Sequence, residues 1–179
     1  MCTINPCKYC VEILSLLPEL KYTDTILLNL GKHYQYIPNN YDNTLMIKYY
    51  SMASEKGNLD TMKHLGLYYG MLGKYKLMIK YFLMAIEKGD ADAMNYLGYH
   101  YDSSHSNYYY KLMIKYYLMA IEKGHTHAMI NLGDYYETHY NYELMKKYYL
   151  MGNKYKYIYI KDHIIQIYRN YKSFNYHNL

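Results

Sequence analysis

The sequence is dominated by an internal repeat. The stretch LMIKYYLMAIEKGHTHAMINLGDYYE at 112–137 recurs with substitutions at 45–70 and 77–102, and a shortened copy opens at Leu144. A unit of this length cannot bury its own apolar face, so it must stack on further copies of itself. The repetition therefore predicts one elongated domain built from helical units.

Two dipeptides mark the repeat, a Leu-Gly pair in a first helix and a Leu-Met pair in a second helix. The first three Leu-Met pairs are each followed by Leu-Gly after 20 residues, whereas the interval from Leu-Gly to the next Leu-Met alternates between 15 and 12. The length variation therefore lies in the loop after the first helix. The pairs are Leu30-Gly31, Leu65-Gly66, Leu97-Gly98 and Leu132-Gly133, with Leu-Met beginning at Leu45, Leu77, Leu112 and Leu144.

The turn after the second helix has the chemistry of a helix end followed at once by a helix start. A glycine after Glu-Lys predicts the left-handed position past the helix, with a lysine in the last turn. These glycines are Gly57, Gly89 and Gly124. Asn58 and Asp90 then provide N-cap side chains for the next helix, and His125 or Thr126 takes this role in the third copy.

A glycine stands beside the anchor leucine in all four copies, although glycine costs roughly 1 kcal/mol relative to alanine inside a helix. Its retention predicts the close approach of a neighbouring helix. The second helix has a small residue eight positions after its anchor, which favours packing of small residue against small residue with tyrosines at the sides. These small residues are Ala53, Ala85, Ala120 and Gly152, and the tyrosines are Tyr49, Tyr81, Tyr116 and Tyr148.

The combined pattern resembles the Sel1-like repeat, a relative of the tetratricopeptide repeat. The first helix has the motif A-x-x-x-L-G-x-x-Y, and the second has an aromatic pair, a small residue and a final glycine. The resemblance implies an all-α fold, a right-handed solenoid of stacked antiparallel helix pairs. Ile26 and Thr61 depart from the small residue of the first helix, and Tyr or Phe replaces the usual Trp. The matching residues are Tyr81, Phe82, Ala85, Gly89, Ala93, Leu97, Gly98 and Tyr101, and again Ala128, Leu132, Gly133 and Tyr136.

Three segments are expected along the chain. Residues 1–24 contain VEILSLLPEL and predict an N-terminal capping helix ended by Pro18. Residues 25–152 hold about four helix pairs, and residues 153–179 form a C-terminal capping helix and tail. Within this last segment, 155–160 also fits a strand, although the repeat register favours a helix.

Composition restricts the functional classes. The net charge of +5 is modest, and Lys and Glu alternate through the repeats, so nucleic-acid binding is not demanded. Cys2, Cys7 and Cys10 all precede the repeats, where CxxC lacks the further ligands of a zinc site and the setting of a redox site. No leader and no long apolar run occurs, which predicts an intracellular, cytoplasmic protein without membrane insertion.

No catalytic or metal-binding constellation is visible. The candidates are His125 and His127, with His105 nearby in sequence, but no acidic cluster accompanies them. At the positions equivalent to 125 and 127, the two preceding copies carry Asn or Asp. Capping or surface roles explain these histidines better than a metal does. We therefore expect no enzyme, no cofactor and no metal site.

Recognition is expected where the copies differ. The positions one before and three after each anchor leucine vary between Tyr, His and Asn, which suit contacts with a peptide. This favours a non-catalytic scaffold for a protein or peptide partner, with an ordinary variable surface as the alternative. An RNA-binding repeat that uses tyrosine stacking and the rows Lys48, Lys80, Lys115 and Lys147 ranks second. The eight predicted contact residues are Asn29, His33, His64, Tyr68, Tyr96, His100, Asn131 and Tyr135.

Overall fold

A computed structural model describes residues 23–36, 43–102 and 107–152. Within these ranges the protein contains eight helices and no strand, which confirms the all-α prediction. The two predicted capping segments, the cysteines, His105 and the alternative at 155–160 lie outside the described residues. The helices are α1 (Asp24–Gln35), α2 (Thr44–Glu55), α3 (Leu59–Met71), α4 (Tyr75–Glu87), α5 (Ala91–Asp102), α6 (Asn107–Glu122), α7 (Thr126–Thr138) and α8 (Tyr142–Gly152).

The helices pack as consecutive pairs. Helix α1 packs on α2, α3 on α4 and α7 on α8, while α2 also contacts α3 and α6 contacts α7. The contacts divide the chain into two compact units, with the boundary between Ala93 and Met94 inside α5. The odd-numbered helices are the predicted first helices of the repeat, and the even-numbered ones are the second helices.

The fixed positions of the repeat form the core of each unit. The anchor leucines of all four first helices are at most 1% exposed, and the alanines of the second helices are fully buried. Thr61 is buried as well. Burial of its hydroxyl is tolerated because the hydroxyl donates a hydrogen bond to the Asn58 carbonyl oxygen at 2.9 Å. A threonine is therefore accepted at a position where two other copies have alanine.

The glycine beside each anchor leucine accommodates an aromatic ring. A Cβ atom built on Gly66, Gly98 or Gly133 would lie 2.5 Å from a ring carbon of the paired second helix, and the clash at Gly31 is closer still. The expected contact between two small residues is therefore wrong. The second helix approaches closely, but a bulky side chain five positions after its Leu-Met anchor fills the gap. These rings belong to Tyr50, Phe82, Tyr117 and Tyr149.

The fixed turns follow the predicted chemistry. The three turn glycines have φ angles of 78° to 92°, and the following residue in each case donates its N–H to the carbonyl of the buried alanine four positions before the glycine. Asn58 and Asp90 cap the next helices through Thr61 N–H at 3.0 Å and Ala93 N–H at 2.7 Å. His125 is the third cap, since its Nδ1 accepts from Ala128 N–H at 3.1 Å.

The turn between α7 and α8 contains an unfavourable residue. Tyr140 has φ 57° and is 78% exposed, in the position that Gly73 occupies with φ 67° in the turn between α3 and α4. A side chain in the left-handed region costs about 1–2 kcal/mol. We expect Tyr140→Gly to raise the free energy of unfolding by about 1 kcal/mol, measured by urea denaturation.

Tyr36 provides the matched control for this substitution. It is 73% exposed and follows α1, but its φ is −105°, so glycine relieves no strain there. Tyr36→Gly should leave stability unchanged or lower it by a few tenths of a kcal/mol. Equal effects of the two substitutions would contradict the strain at Tyr140.

Candidate partner-binding face

The eight predicted contact residues lie on the first helices, at two positions one turn apart that we call the variable face. In the first unit these residues come from α1 and α3, and in the second unit from α5 and α7. Asn29 and Tyr96 are exposed, and the other six are half-buried. All eight therefore remain accessible to some degree, and none belongs to the core.

In the first unit the face rests on buried aromatic rings. The His64 ring stacks on Tyr50 at 5.5 Å with an interplanar angle of 16°. Burial lowers the pKa of His64, and the charge of Lys32 lowers it further. His33 and Tyr68 each lie edge-on against the next tyrosine in sequence, Tyr34 and Tyr69. His64 is therefore held neutral near pH 7, and the face of this unit is aromatic.

In the second unit the face includes two additional aromatic residues. The Tyr135 ring lies 5.7 Å from Tyr110 and 4.1 Å from His139. Asn131 donates a hydrogen bond to the Asn95 amide oxygen at 3.1 Å, which links α7 to α5. Burial raises the pKa of Tyr135, with a smaller contribution from Tyr110. The repeat pattern missed Tyr110 and His139 as neighbours of the variable face, because His139 lies in the variable loop after α7 and Tyr110 at the start of α6.

His100 is also held by an adjacent ring. It lies 5.3 Å from Tyr101, and burial lowers its pKa. In all four copies the ring of the face residue three positions after the anchor leucine therefore contacts the ring of the next residue, which is a tyrosine. This arrangement keeps the ring in one position.

Beneath the variable face, each helix pair contains a stack of two tyrosines and one lysine, which we call the aromatic column. The rings are nearly parallel, with centroids 5.6–5.8 Å apart and interplanar angles of 9–13°. The lysine preceding the second-helix tyrosine places its Nζ 5.2–5.9 Å from that ring. The four columns are Tyr34/Tyr49/Lys48, Tyr69/Tyr81/Lys80, Tyr101/Tyr116/Lys115 and Tyr136/Tyr148/Lys147.

The columns account for residues that the sequence offered for nucleic-acid binding. The ring faces of the repeated tyrosines are covered by one another and by lysine, and five of these eight tyrosines are at most 8% exposed. A base needs an open ring face on which to stack. The column tyrosines are therefore not available for base stacking, and the lysine rows serve partly as cation–π partners.

The second residue of each aromatic pair, at position 50, 82, 117 or 149, faces the residue five positions after the anchor leucine of the paired helix. The Tyr50 hydroxyl donates a hydrogen bond to Gln35 Oε1 at 2.7 Å. Burial raises the pKa of Tyr50 to about 12, with a smaller contribution from Tyr36. Phe82 has no hydroxyl, and the facing position in α3 is Gly70. A hydrogen-bond acceptor is thus present at 35, opposite the hydroxyl of Tyr50, and absent at 70, opposite Phe82, which has no hydroxyl to donate.

The remaining two hydroxyl groups differ from each other. Tyr149 donates to both Asp134 and Glu137, so one proton is shared between two carboxylates. Burial and these hydrogen bonds raise the pKa of Tyr149. The Tyr117 hydroxyl is buried and forms no hydrogen bond of ordinary geometry with the described residues. Burial raises the pKa of Tyr117, and the nearby Asn131 side chain offsets this in part. The corresponding residue is Asp102, whose side chain is one methylene shorter than that of Glu or Gln.

This difference predicts opposite effects of one substitution. Tyr117→Phe should raise the free energy of unfolding by about 1 kcal/mol, because it removes a buried hydroxyl that lacks a well-formed hydrogen bond. Tyr149→Phe should lower it by about 1 kcal/mol, because it removes a hydrogen bond to a charged acceptor. Urea denaturation of the two variants checks this pair. A loss at both positions would show that Tyr117 does have a hydrogen-bond partner.

Over residues 23–36, 43–102 and 107–152 there is no group of three or more His, Cys, Asp or Glu side chains placed to hold a metal ion. In this part of the chain no helix is both long enough and apolar enough to cross a membrane.

Comparison with known proteins identifies the fold. No protein-family profile matches the sequence, and no curated protein is detectably similar to it. Two solved structures superimpose on this chain with a TM-score of 0.57 each. One is a Sel1 repeat protein from Oxalobacter formigenes, which is 24% identical over 79% of this chain. The other is a protective antigen of uropathogenic Escherichia coli with an SLR fold, 21% identical over 72% of this chain.

The chain has the Sel1-like repeat fold. The predicted stacking of antiparallel helix pairs is thereby confirmed. This chain spans 30% of the length of the Escherichia coli antigen and 62% of that of the Oxalobacter formigenes protein. The helix pairs defined by the internal repeat of the sequence are α1/α2, α3/α4, α5/α6 and α7/α8.

Proposed function

We propose that this Sel1-like repeat protein is a non-catalytic scaffold that binds a peptide or protein partner on its variable face. A contrast between positions carries the proposal. The anchor leucine and its glycine are the same in all four copies and are buried, whereas the two face positions change from copy to copy and are exposed or half-buried. Packing explains the first set and leaves the second set unexplained.

The chemistry of the face suits an extended, uncharged peptide segment. The face carries no acidic residue and no lysine or arginine at its eight positions. Its rings rest against buried tyrosines, so they lose little conformational entropy when a partner binds. Tyrosine and histidine offer apolar area with a polar edge, and asparagine can pair with a peptide backbone.

The test compares two variants in the second unit. We expect affinity purification with the full chain to recover a specific protein, and Tyr96→Ala/His100→Ala/Tyr135→Ala to bind it at least tenfold more weakly. Tyr99→Ala is the control, because Tyr99 is 64% exposed on the same helix α5 but outside the variable face. Recovery of no specific protein, or equal binding by the triple variant, would contradict the proposal.

A salt titration with RNA distinguishes the alternative function. Contacts with phosphates weaken steeply as salt rises, whereas binding by Tyr, His and Asn does not depend on counterion release. RNA binding that falls steeply with salt would support the nucleic-acid alternative.

A further inference from the structure

The turn between α3 and α4 differs in kind from the other turns that follow a first helix. It reads MLGKYK at 71–76, whereas the others read PNNYDNT, DSSHSNYYY and THYNY. Met71 is 88% exposed, more than any other large apolar side chain in the described ranges, and Leu72 and Tyr75 are 49% and 53% exposed. Exposing apolar side chains to water at the tip of a turn is unfavourable, so a cluster of them indicates a surface that binds a partner.

The charge around this tip has one sign. Between Asp60 and Glu87, which lie at the ends of this helix pair far from the tip, the sequence contains four lysines and no acidic residue, whereas the corresponding stretch of every other copy contains at least one acidic residue. Lys63 pairs with Asp90 and Asp92, away from the tip. Lys74 and Lys76 are exposed and have no acidic group within ion-pair distance in the part of the chain that the structure describes. The tip therefore combines apolar side chains with uncompensated positive charge.

The tip is also fixed in shape. Gly73 has φ 67°, its N–H donates to the Gly70 carbonyl at 3.0 Å, and the Lys74 N–H donates to the Tyr69 carbonyl at 2.9 Å. This closed turn holds Met71 and Leu72 outward. Tyr36 occupies the position equivalent to Met71 after α1 and is 73% exposed. The first unit thus presents projecting side chains at the ends of both its complete first helices.

We propose that this tip, residues 71–76, associates with the surface of an anionic lipid bilayer. Met71 and Leu72 enter the boundary between headgroups and acyl chains, while Lys74 and Lys76 contact the acidic headgroups. A projecting apolar tip needs a concave pocket on a protein partner, whereas a bilayer deforms around it. The absence of acidic residues favours an anionic surface over a neutral one. The association is peripheral, and it does not depend on the variable face.

Vesicle binding tests the proposal with the full chain. We expect co-sedimentation with phosphatidylcholine vesicles that contain phosphatidylserine, and at least tenfold weaker binding to phosphatidylcholine alone. Met71→Ser/Leu72→Ser and Lys74→Glu/Lys76→Glu should each weaken binding to the anionic vesicles at least tenfold. Added NaCl should weaken binding of the unmodified chain.

The control variant is Leu83→Ser/Leu150→Ser. These leucines are 38% and 43% exposed, and they lie two helical turns beyond the tip in α4 and in helix α8, so binding should be unchanged. Circular dichroism and urea denaturation establish that all variants are folded. The chain has no tryptophan, so Leu72→Trp provides a direct reporter. Its fluorescence should shift to the blue on adding anionic vesicles, and that of Leu83→Trp should not.

Several results would overturn the proposal. These are no binding to anionic vesicles, equal loss in the control and tip variants, or an unshifted Leu72→Trp spectrum. Binding of the tip to a poly-glutamate peptide without binding to vesicles would assign it to an acidic protein partner instead.

Discussion

Gly66→Ala should lower the free energy of unfolding by about 2 kcal/mol, although alanine is the better helix former by roughly 1 kcal/mol. The added Cβ would lie 2.5–2.9 Å from three ring atoms of Phe82. Phe82 is 1% exposed, so its ring cannot move without displacing the core of the first unit. Urea denaturation measures the change.

Gly70→Ala is the matched control, one turn further along the same helix α3. The nearest atom to its added Cβ is the Met78 sulfur at 3.1 Å, which belongs to a flexible side chain. We expect a gain of about 0.5 kcal/mol, because the helix preference of alanine outweighs a small adjustment of Met78. Glycines in one helix should thus respond with opposite signs.

A double-mutant cycle tests the cause of the loss at Gly66. In Gly66→Ala/Phe82→Leu the smaller side chain removes the clash, so the two substitutions should couple by about 1 kcal/mol or more. Additive effects would show that the loss of stability does not come from a clash between the added Cβ and the Phe82 ring.

Asp90→Ala should lower the free energy of unfolding by about 2 kcal/mol. The Asp90 carboxylate is 8% exposed, caps α5 through the Ala93 N–H at 2.7 Å and lies 3.2 Å from Lys63 Nζ. Burial lowers the pKa of Lys63, but hydrogen bonds to Asp92 and Asp90 outweigh this effect, so the pKa is raised overall. Asp90 therefore connects α3 with the turn before α5 in the first unit.

Two further variants separate the roles of Asp90. Asp92 contacts the same ammonium group at the shorter distance of 2.9 Å, but its side chain is 52% exposed. Asp92→Ala should cost only about 0.5 kcal/mol, because exposed ion pairs contribute little. Asp90→Asn keeps an oxygen acceptor for the cap and should cost about half as much as Asp90→Ala. A larger loss at Asp92 than at Asp90 would contradict this order.

Local signals were sufficient for the helices and turns. The 20-residue interval, the glycine after Glu-Lys and the Asn or Asp that follows it all report on backbone conformation within a few residues. The left-handed glycines and the caps by Asn58, Asp90 and His125 appear where these signals place them. The eight positions of the variable face are exposed or half-buried, because helical periodicity decides which side of a first helix a residue occupies. That a partner binds there stays a prediction.

The sequence by itself determined the fold class, because repeated apolar positions at helical spacing can be buried only by stacking helix pairs. Only the tertiary structure decided what fills the space beside each glycine. The pattern contained both a small residue and an aromatic residue as candidates, and the choice depends on the distance and rotation between two helices. The same limit applies to the aromatic columns and to the tip at 71–76. Which ring faces are covered, and how far Met71 projects, are properties of packing that no single helix specifies.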